Sequence, residues 1–396
     1  MSEKKLKILV LNYEFPPLGG GAGNATYYLL KEFAKLDDIY VDLVTSSASE
    51  FEHQKFSQNI NIYKLNIGKK GNIHYQSNKD IIIYTIKSYF FTRKLLHQKK
   101  YNLTHAFFGI PCGFIGYLFR KKIPYIISIR GSDVPGYNER FSDLYKVLSP
   151  LIKKVWKNSK AVIANSRDLK KLALITSPNQ KIDIIYNGID VGEFKARNKK
   201  NNNSFNVLCV TRLIKRKGIK YLVLALPKVI KKYPDLNLKL TIIGEGNLKK
   251  DLEDLVKDKN LNRFIYFKGL IEHSQLPLYY NRADVFILPS LNEGMSNAVL
   301  EAISSGLPII TTDTGGTSEL VKENGFIVPK KNSEKISEAL IKLIEDKDLC
   351  LEMGKKSREI AEKLGWDKVA EQYLEIYKKI CNVFKDRNYV RNLRNL

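Results

Sequence analysis

Cysteine is scarce in this chain and widely scattered: Cys112, Cys209, Cys350 and Cys381 in 396 residues. Four such residues make no disulfide framework, and without a CxxC pair they make no zinc site, so a reducing compartment such as the cytoplasm fits. Long apolar runs are missing too. None approaches the roughly 18 to 20 residues that cross a bilayer, and the opening stretch from Met1 to Val10 is cut off at Asn12 and Glu14, which excludes a signal-type core or an anchor. The expectation is a soluble or peripheral protein. Nucleic-acid signatures are lacking as well, with no RNP-type aromatic motif and no zinc-finger spacing, so no nucleic-acid partner is expected.

Carboxylates are in deficit. Against 66 Lys and Arg there are 41 Asp and Glu, a net charge of +25. The excess is uneven: residues 1–200 carry 33 basic and 16 acidic side chains, giving +17, and residues 201–396 carry 33 and 25, giving +8. A half so basic would be drawn to a polyanion such as an anionic membrane surface, within screening range. The abundance of lysine, isoleucine and asparagine along the whole chain makes compositional bias an equal explanation. What remains is ordinary globular material, 44% hydrophobic and 27% charged, long enough for two domains.

The segment Leu6 to Leu11, LKILVL, has the continuous apolar character of a buried parallel strand. A glycine loop follows, Gly19-Gly20-Gly21-Ala22-Gly23, then a helical pattern from Asn24 to Leu36 and a strand from Val41 to Thr45. This is a βαβ unit, and further strands are predicted at Leu103 to Phe107, Tyr125 to Ile129, Ala161 to Asn165 and Ile182 to Tyr186. The polar stretch between Glu193 and Ser204 reads as a linker. Beyond it the alternation restarts, with six strands between Asn206 and Val328 and an amphipathic helix from Trp366 to about Phe384. The expected fold is α/β with two doubly wound Rossmann-like domains, residues 1–195 and 205–365, facing a cleft. Residues 366–396 form a terminal helix and basic tail, the helix returning to the first domain.

The first glycine loop is no dinucleotide fingerprint. Counted from Gly19 and Gly21, the third glycine position is Asn24, and the second strand ends in Thr45-Ser46-Ser47 without the acidic residue a ribose needs, so a nicotinamide enzyme is not expected. The amides of Gly20 and Gly21 can still approach an anion at the mouth of the next helix. The most informative stretch runs from Leu288 to Leu320. Glu293 and Glu301 are eight apart, with Gly294, Met295, Ser296 and Asn297 between a strand end and a helix start. Ser296 or Asn297 can cap that helix. One carboxylate can then meet sugar hydroxyls and the other a ribose, with a diphosphate near the free amides.

This stretch resembles the donor-site signature of the retaining glycosyltransferases of family 4, a GT-B fold family that includes bacterial polysaccharide and glycolipid enzymes. Val210-Thr211-Arg212-Leu213 with Lys217-Gly218, Ile243-Gly244-Glu245-Gly246, Phe267-Lys268-Gly269, and Asn187-Gly188-Ile189-Asp190 with Phe194 agree in order, although Thr211 stands where a glycine is common. The resemblance implies that Arg212 and Lys217 hold the donor phosphates, that Glu301 binds the ribose, and that Glu293 meets the transferred sugar. Gly244 and the residues from Gly294 to Asn297 then shape the donor pocket. It implies no metal and no cofactor beyond the UDP- or GDP-sugar substrate, because fixed cations stabilise the leaving group.

One departure concerns Arg130, which stands where many members have a histidine and which cannot lose a proton. With Asp133 and His105 it is assigned to the acceptor or sugar side, Arg130 facing a phosphate and Asp133 an acceptor hydroxyl; a packed His105 is the alternative. His53, His74, His97 and His273 have no partner the sequence can name. Asp346-Lys347-Asp348 spells a DxD by letters but follows an amphipathic helix and reads as a helix end. The expected function is sugar transfer to a glycan or lipid-linked acceptor in cell-surface polysaccharide or glycolipid synthesis, in the cytoplasm or peripherally on the inner face of the plasma membrane. A non-catalytic nucleotide-sugar or glycan-binding protein and a sugar-nucleotide epimerase are the rivals, the latter lacking suited proton-transfer groups.

Overall fold

The structure is a computed structural model that describes residues 5–69, 76–137, 142–195 and 204–393. The linker residues 196–203 and His74 lie outside the described residues. The chain divides into two units, residues 1–187 with 366–396, and residues 188–365.

The first unit is built on β1 (Leu6–Leu11), β2 (Ile39–Ser47), β3 (Glu52–Ser57), β4 (Ile60–Asn66), β5 (Leu103–Phe107), β6 (Tyr125–Ile129), β7 (Val162–Ala164) and β8 (Ile182–Ile184). They lie in the order β3-β4-β2-β1-β5-β6-β7-β8, all pairings parallel except β3 against β4. The apolar runs explain this, because a strand buried on both faces has no polar alternation; β5 and β6 are buried at all five positions. The β3–β4 hairpin departs from the predicted strand list. Its outer strand, EHQKFS, is exposed over its first four residues and has no apolar rhythm that would mark it.

The second unit holds β9 (Ser204–Val210), β10 (Asn237–Ile243), β11 (Ile265–Phe267), β12 (Val285–Leu288), β13 (Ile309–Thr312) and β14 (Gly325–Val328), all parallel, in the order β11-β10-β9-β12-β13-β14. The order turns back between β9 and β12, the crevice where open α/β sheets receive ligands. Residues 188–195 group with this unit, so the division falls earlier than the expected 195. Phe194 is buried there, its carbonyl accepting from Ser304 Oγ at 2.8 Å and from Arg358 Nη1 at 3.2 Å.

The terminal helix Trp366–Leu393 returns to the first unit. Trp366 stacks on Tyr28 with centroids 5.8 Å apart, and Val369, Ala370, Tyr373, Tyr377 and Cys381 join the first core. Where the chain re-enters the first unit, Ile189 donates its N–H to Leu364 O at 2.9 Å and pairs with Gly365.

Candidate active site

In the second unit the sheet places four loops at one crevice. Those after β9, β10 and β11 are zipped by backbone hydrogen bonds, Thr211 N–H to Ile243 O, Leu213 N–H to Glu245 O and Gly244 N–H to Gly269 O, each 2.8 or 2.9 Å. Gly244 must be glycine here: its φ is +134°, and a Cβ would fall 2.0 Å from Thr211 O. The loop after β12 is tied in by Leu291 N–H to Arg216 O at 2.7 Å. It is backed by Gly315, whose φ of +52° and close approach to Glu293 O leave no room for a side chain.

These connections bring Lys217 and Glu293 together. Lys217 Nζ donates to Glu293 Oε1, which also accepts from Ser290 Oγ at 2.7 Å, and both partners are almost buried, 11% and 10% exposed. Burial would raise the Glu293 carboxyl, but Lys217 outweighs it and holds Glu293 below the usual carboxylate range. Burial pushes the Lys217 ammonium down; Glu293 opposes this, while Arg216 and Arg212 add to it. Lys217 thus sits among like charges, with Arg212 exposed beside it. Lys217 with the guanidinium groups of Arg212 and Arg216 concentrates positive charge at this crevice, which suits a diphosphate.

Ser296 caps the helix Asn297–Ser304, its side chain accepting from Val299 N–H, and the first turn carries no acidic residue. Gly294 and Met295 are buried beneath the loop, and Gly294 O accepts from Gly316 N–H at 2.5 Å. Glu301 lies one turn into the helix and is 6% exposed. Its carboxylate accepts from Tyr280 OH at 2.8 Å and from His273 Nε2 at 3.0 Å. His273 also reaches Glu193 at 3.6 Å. Burial alone would lower this imidazole, but Glu193 and Glu301 raise it to about 10, so it stands as a cation at neutral pH. His273 and Tyr280 had no sequence signal, because their contacts with Glu301 span 28 and 21 residues and follow no helical or strand period.

The other predicted site residues lie in the first unit. Gly20 precedes the helix Gly21–Phe33, and its N–H donates to Glu14 Oε2 at 3.1 Å, so the protein's own carboxylate holds that helix mouth. His105 is a correction. It is fully buried, Nδ1 bonded to Tyr377 OH at 2.6 Å and Nε2 to Ser128 Oγ at 2.8 Å, and burial with Arg130 nearby holds it neutral, well below the usual histidine value. Asp133 is a second correction. It is 3% exposed, and its oxygens accept from the N–H groups of Gly109 (2.6 Å), Arg130 (2.8 Å) and Gly131 (3.0 Å), which fastens its own turn and leaves no face for an acceptor hydroxyl. Arg130 lies over Phe107 at 4.7 Å and donates to Asn187 Oδ1 at 2.7 Å. Its Nε is buried without a hydrogen-bond partner among the described residues. Asp346, the first carboxylate of the DxD letters, caps the helix Lys347–Glu362 through Leu349 N–H at 2.8 Å, and Asp348 lies in that helix's first turn.

Two Rossmann-like units with parallel sheets define the GT-B class. The solved sucrose-phosphate synthase of Thermosynechococcus elongatus superposes with a TM-score of 0.83 over 96% of this chain and 100% of that one, at 21% identity. The family Glycosyltransferase Family 4 matches residues 19–193, and Glycosyl transferases group 1 matches residues 190–360. The chain belongs to the family 4 glycosyltransferases and is a transferase. An uncharacterized glycosyltransferase of Methanocaldococcus jannaschii is 28% identical over 305 residues, 72% of this chain and 77% of its own length. The GDP-mannose-dependent alpha-(1-6)-phosphatidylinositol monomannoside mannosyltransferase of Mycobacterium tuberculosis is 31% identical over 174 residues, 41% of this chain and 45% of its own.

Proposed function

We propose that the chain transfers a sugar from a nucleotide diphosphate sugar, UDP- or GDP-linked, to a glycan or lipid-linked acceptor with retention of anomeric configuration, in cell-surface polysaccharide or glycolipid synthesis. The observation that carries this is the Lys217–Glu293 pair beside Arg212 and Arg216 at the turning point of the second sheet. Arg212 and Lys217 take the diphosphate, with the helix mouth at Ser296 and Asn297 adding backbone N–H groups. As the diphosphate draws Lys217 toward itself, Glu293 is released toward the transferred sugar. Glu301, aimed by His273 and Tyr280, accepts from the ribose. The departing phosphate oxygen takes the acceptor's proton on the same face, so no basic side chain is required, and Arg130 directs its remaining donor at an anionic group. The mannosyltransferase of M. tuberculosis, with its GDP-mannose donor and phosphatidylinositol-based acceptor, favours a lipid-linked acceptor at the inner face of the plasma membrane.

Mass spectrometry of products from a panel of UDP- and GDP-sugars tests the reading, with one donor expected to give a glycosylated product of retained configuration. An inverted product, or release of free sugar alone with every donor, contradicts it. Because fixed cations carry the leaving-group charge, excess EDTA is expected to leave turnover intact. A loss restored by Mn²⁺ would contradict this and give Asp346 and Asp348 a metal-binding role.

A further inference from the structure

The helix Asn78–Gln98 has its buried side at Tyr84, Ser88, Thr92 and Leu95, yet its outer side is apolar as well. Ile82, Ile86 and Phe90, spaced four apart on one stripe, are 58%, 54% and 61% exposed. Beside them Phe51, Leu65, Ile86, Phe90 and Phe91 line an open groove of about 400 Å³, with Lys87 and Lys94 on its wall. Two other segments are drawn to this place. Tyr89 stacks on Phe119 at 5.2 Å, which sets exposed Leu118, Lys121 and Lys122 next to the helix. Tyr117 in turn holds the Arg120 guanidinium at 3.9 Å and Lys154 Nζ at 5.9 Å, adding the basic helix that carries Lys153 and Lys157.

The charge here is local. From Ile81 to Ser132 there is no Asp or Glu, whereas 41 carboxylates in 396 residues would place about five in such a stretch. The same stretch carries nine Lys and Arg. Asp80, just before it, is committed to Lys69 Nζ at 2.8 Å and to Ser77 N–H. Lys99 in this stretch is paired with Asp42 at 2.7 Å, but Lys87, Arg93, Lys94, Lys121 and Lys122 have no ion pair among the described residues, and an apolar stripe bordered by such cations is complementary to a layer of phosphates over hydrocarbon.

We propose that this face docks on an anionic phospholipid bilayer, with Ile82, Ile86 and Phe90 entering the acyl region and Lys87, Arg93, Lys94, Lys121 and Lys122 holding lipid phosphates. This deepens the lipid-linked acceptor reading above by naming the surface that brings the enzyme to its acceptor. The test is sedimentation of the full chain with phosphatidylglycerol or phosphatidylcholine vesicles. The wild type is expected to sediment with phosphatidylglycerol alone, and less as salt rises. Lys87→Glu with Lys94→Glu lowers the partition by about fivefold or more per cation, and Ile86→Glu with Phe90→Glu abolishes it. Lys250→Glu with Lys259→Glu, the same charge change on the second unit, leaves it near the wild-type value. Nucleoside diphosphate binding by calorimetry is unchanged in all three double variants, so a loss confined to nucleotide binding would strike the donor site and not this face. The proposal is overturned if the control pair weakens vesicle binding as much as the Lys87 and Lys94 pair. It is equally overturned if the wild type stays in the supernatant at low salt, or elutes as a dimer that Ile86→Glu with Phe90→Glu separates.

Discussion

The two units each have a crevice where strand order turns back, β1 against β5 in the first and β9 against β12 in the second, and they fill it in opposite ways. In the first, the carboxylates and the histidine are closed onto the protein itself: Glu14 holds the Gly20 amide, Asp133 fastens three N–H groups of its turn, and His105 is shut between two hydroxyls, while Arg130 keeps its Nε for an outside partner. In the second, Arg212 and Arg216 crowd the ammonium of Lys217, which is held by Glu293. A crevice whose carboxylates are engaged by its own backbone gains rigidity; one that crowds cations together is held ready for an anionic ligand.

The sharpest way to break this comparison is to remove one of the clustered cations. Arg212→Ala and Lys217→Ala are each expected to lose about 2–4 kcal/mol of transition-state stabilisation, roughly 30- to 1000-fold in kcat/KM. They differ in stability. Lys217→Ala takes away the ammonium that Glu293 accepts from and leaves that carboxylate almost buried, at about 3–5 kcal/mol, whereas Arg212→Ala, at an exposed position, lowers the melting temperature less. Near wild-type turnover in both variants with intact circular dichroism would mean the ligand crevice has been assigned to the wrong loops.

The carboxylates give a smaller and more discriminating effect. Glu301→Ala is expected to weaken nucleoside diphosphate binding about 10- to 100-fold, since a ribose contact is made in ground and transition states alike, while Glu293→Ala mainly lowers kcat. Calorimetry with the bare nucleoside diphosphate separates them, and equal losses of affinity would remove the division of roles.

The smallest effect is a titration. His273 has its folded value raised to about 10, above the usual 6.5, so its pairing with Glu193 and Glu301 is fully present below pH 6.5 and is lost as pH climbs through 10. Nucleotide affinity is expected to hold across neutrality and weaken near pH 10, and His273→Gln to flatten that decline. A histidine NMR signal titrating near 6.5 that disappears in His273→Gln would contradict the raised value. His105 offers the contrast: buried neutral, it is expected to show no titration in that range.

Buried strands were legible because each is a continuous apolar run between turn residues, as in LKILVL for β1 and VFIL for β12. The outer hairpin strand and the helix Asn78–Gln98 were not, since one is polar throughout its exposed part and the other apolar on two faces, which erases the period. The pair Glu293 and Glu301 stood out by its spacing, and Lys217 by the resemblance of the stretch from Val210 to Gly218 to family 4. The partners that orient them were not. Tyr280 and His273 reach Glu301 only after the sheet has formed, and the interior placement of His105 depends on Tyr377, 272 residues away.

The return of the helix Trp366–Leu393 makes the second unit an insertion within the first, with Ile189 and Gly365 paired where the chain leaves and comes back. During synthesis, then, the earlier-made half finishes last. Until the final helix emerges, His105 lacks its Tyr377 hydroxyl, Ser128 and Arg130 lack Tyr373, and Tyr28 lacks the Trp366 ring. The inserted half has its whole sheet by then, and a nascent chain stalled before Trp366 would present one finished fold flanked by an open one.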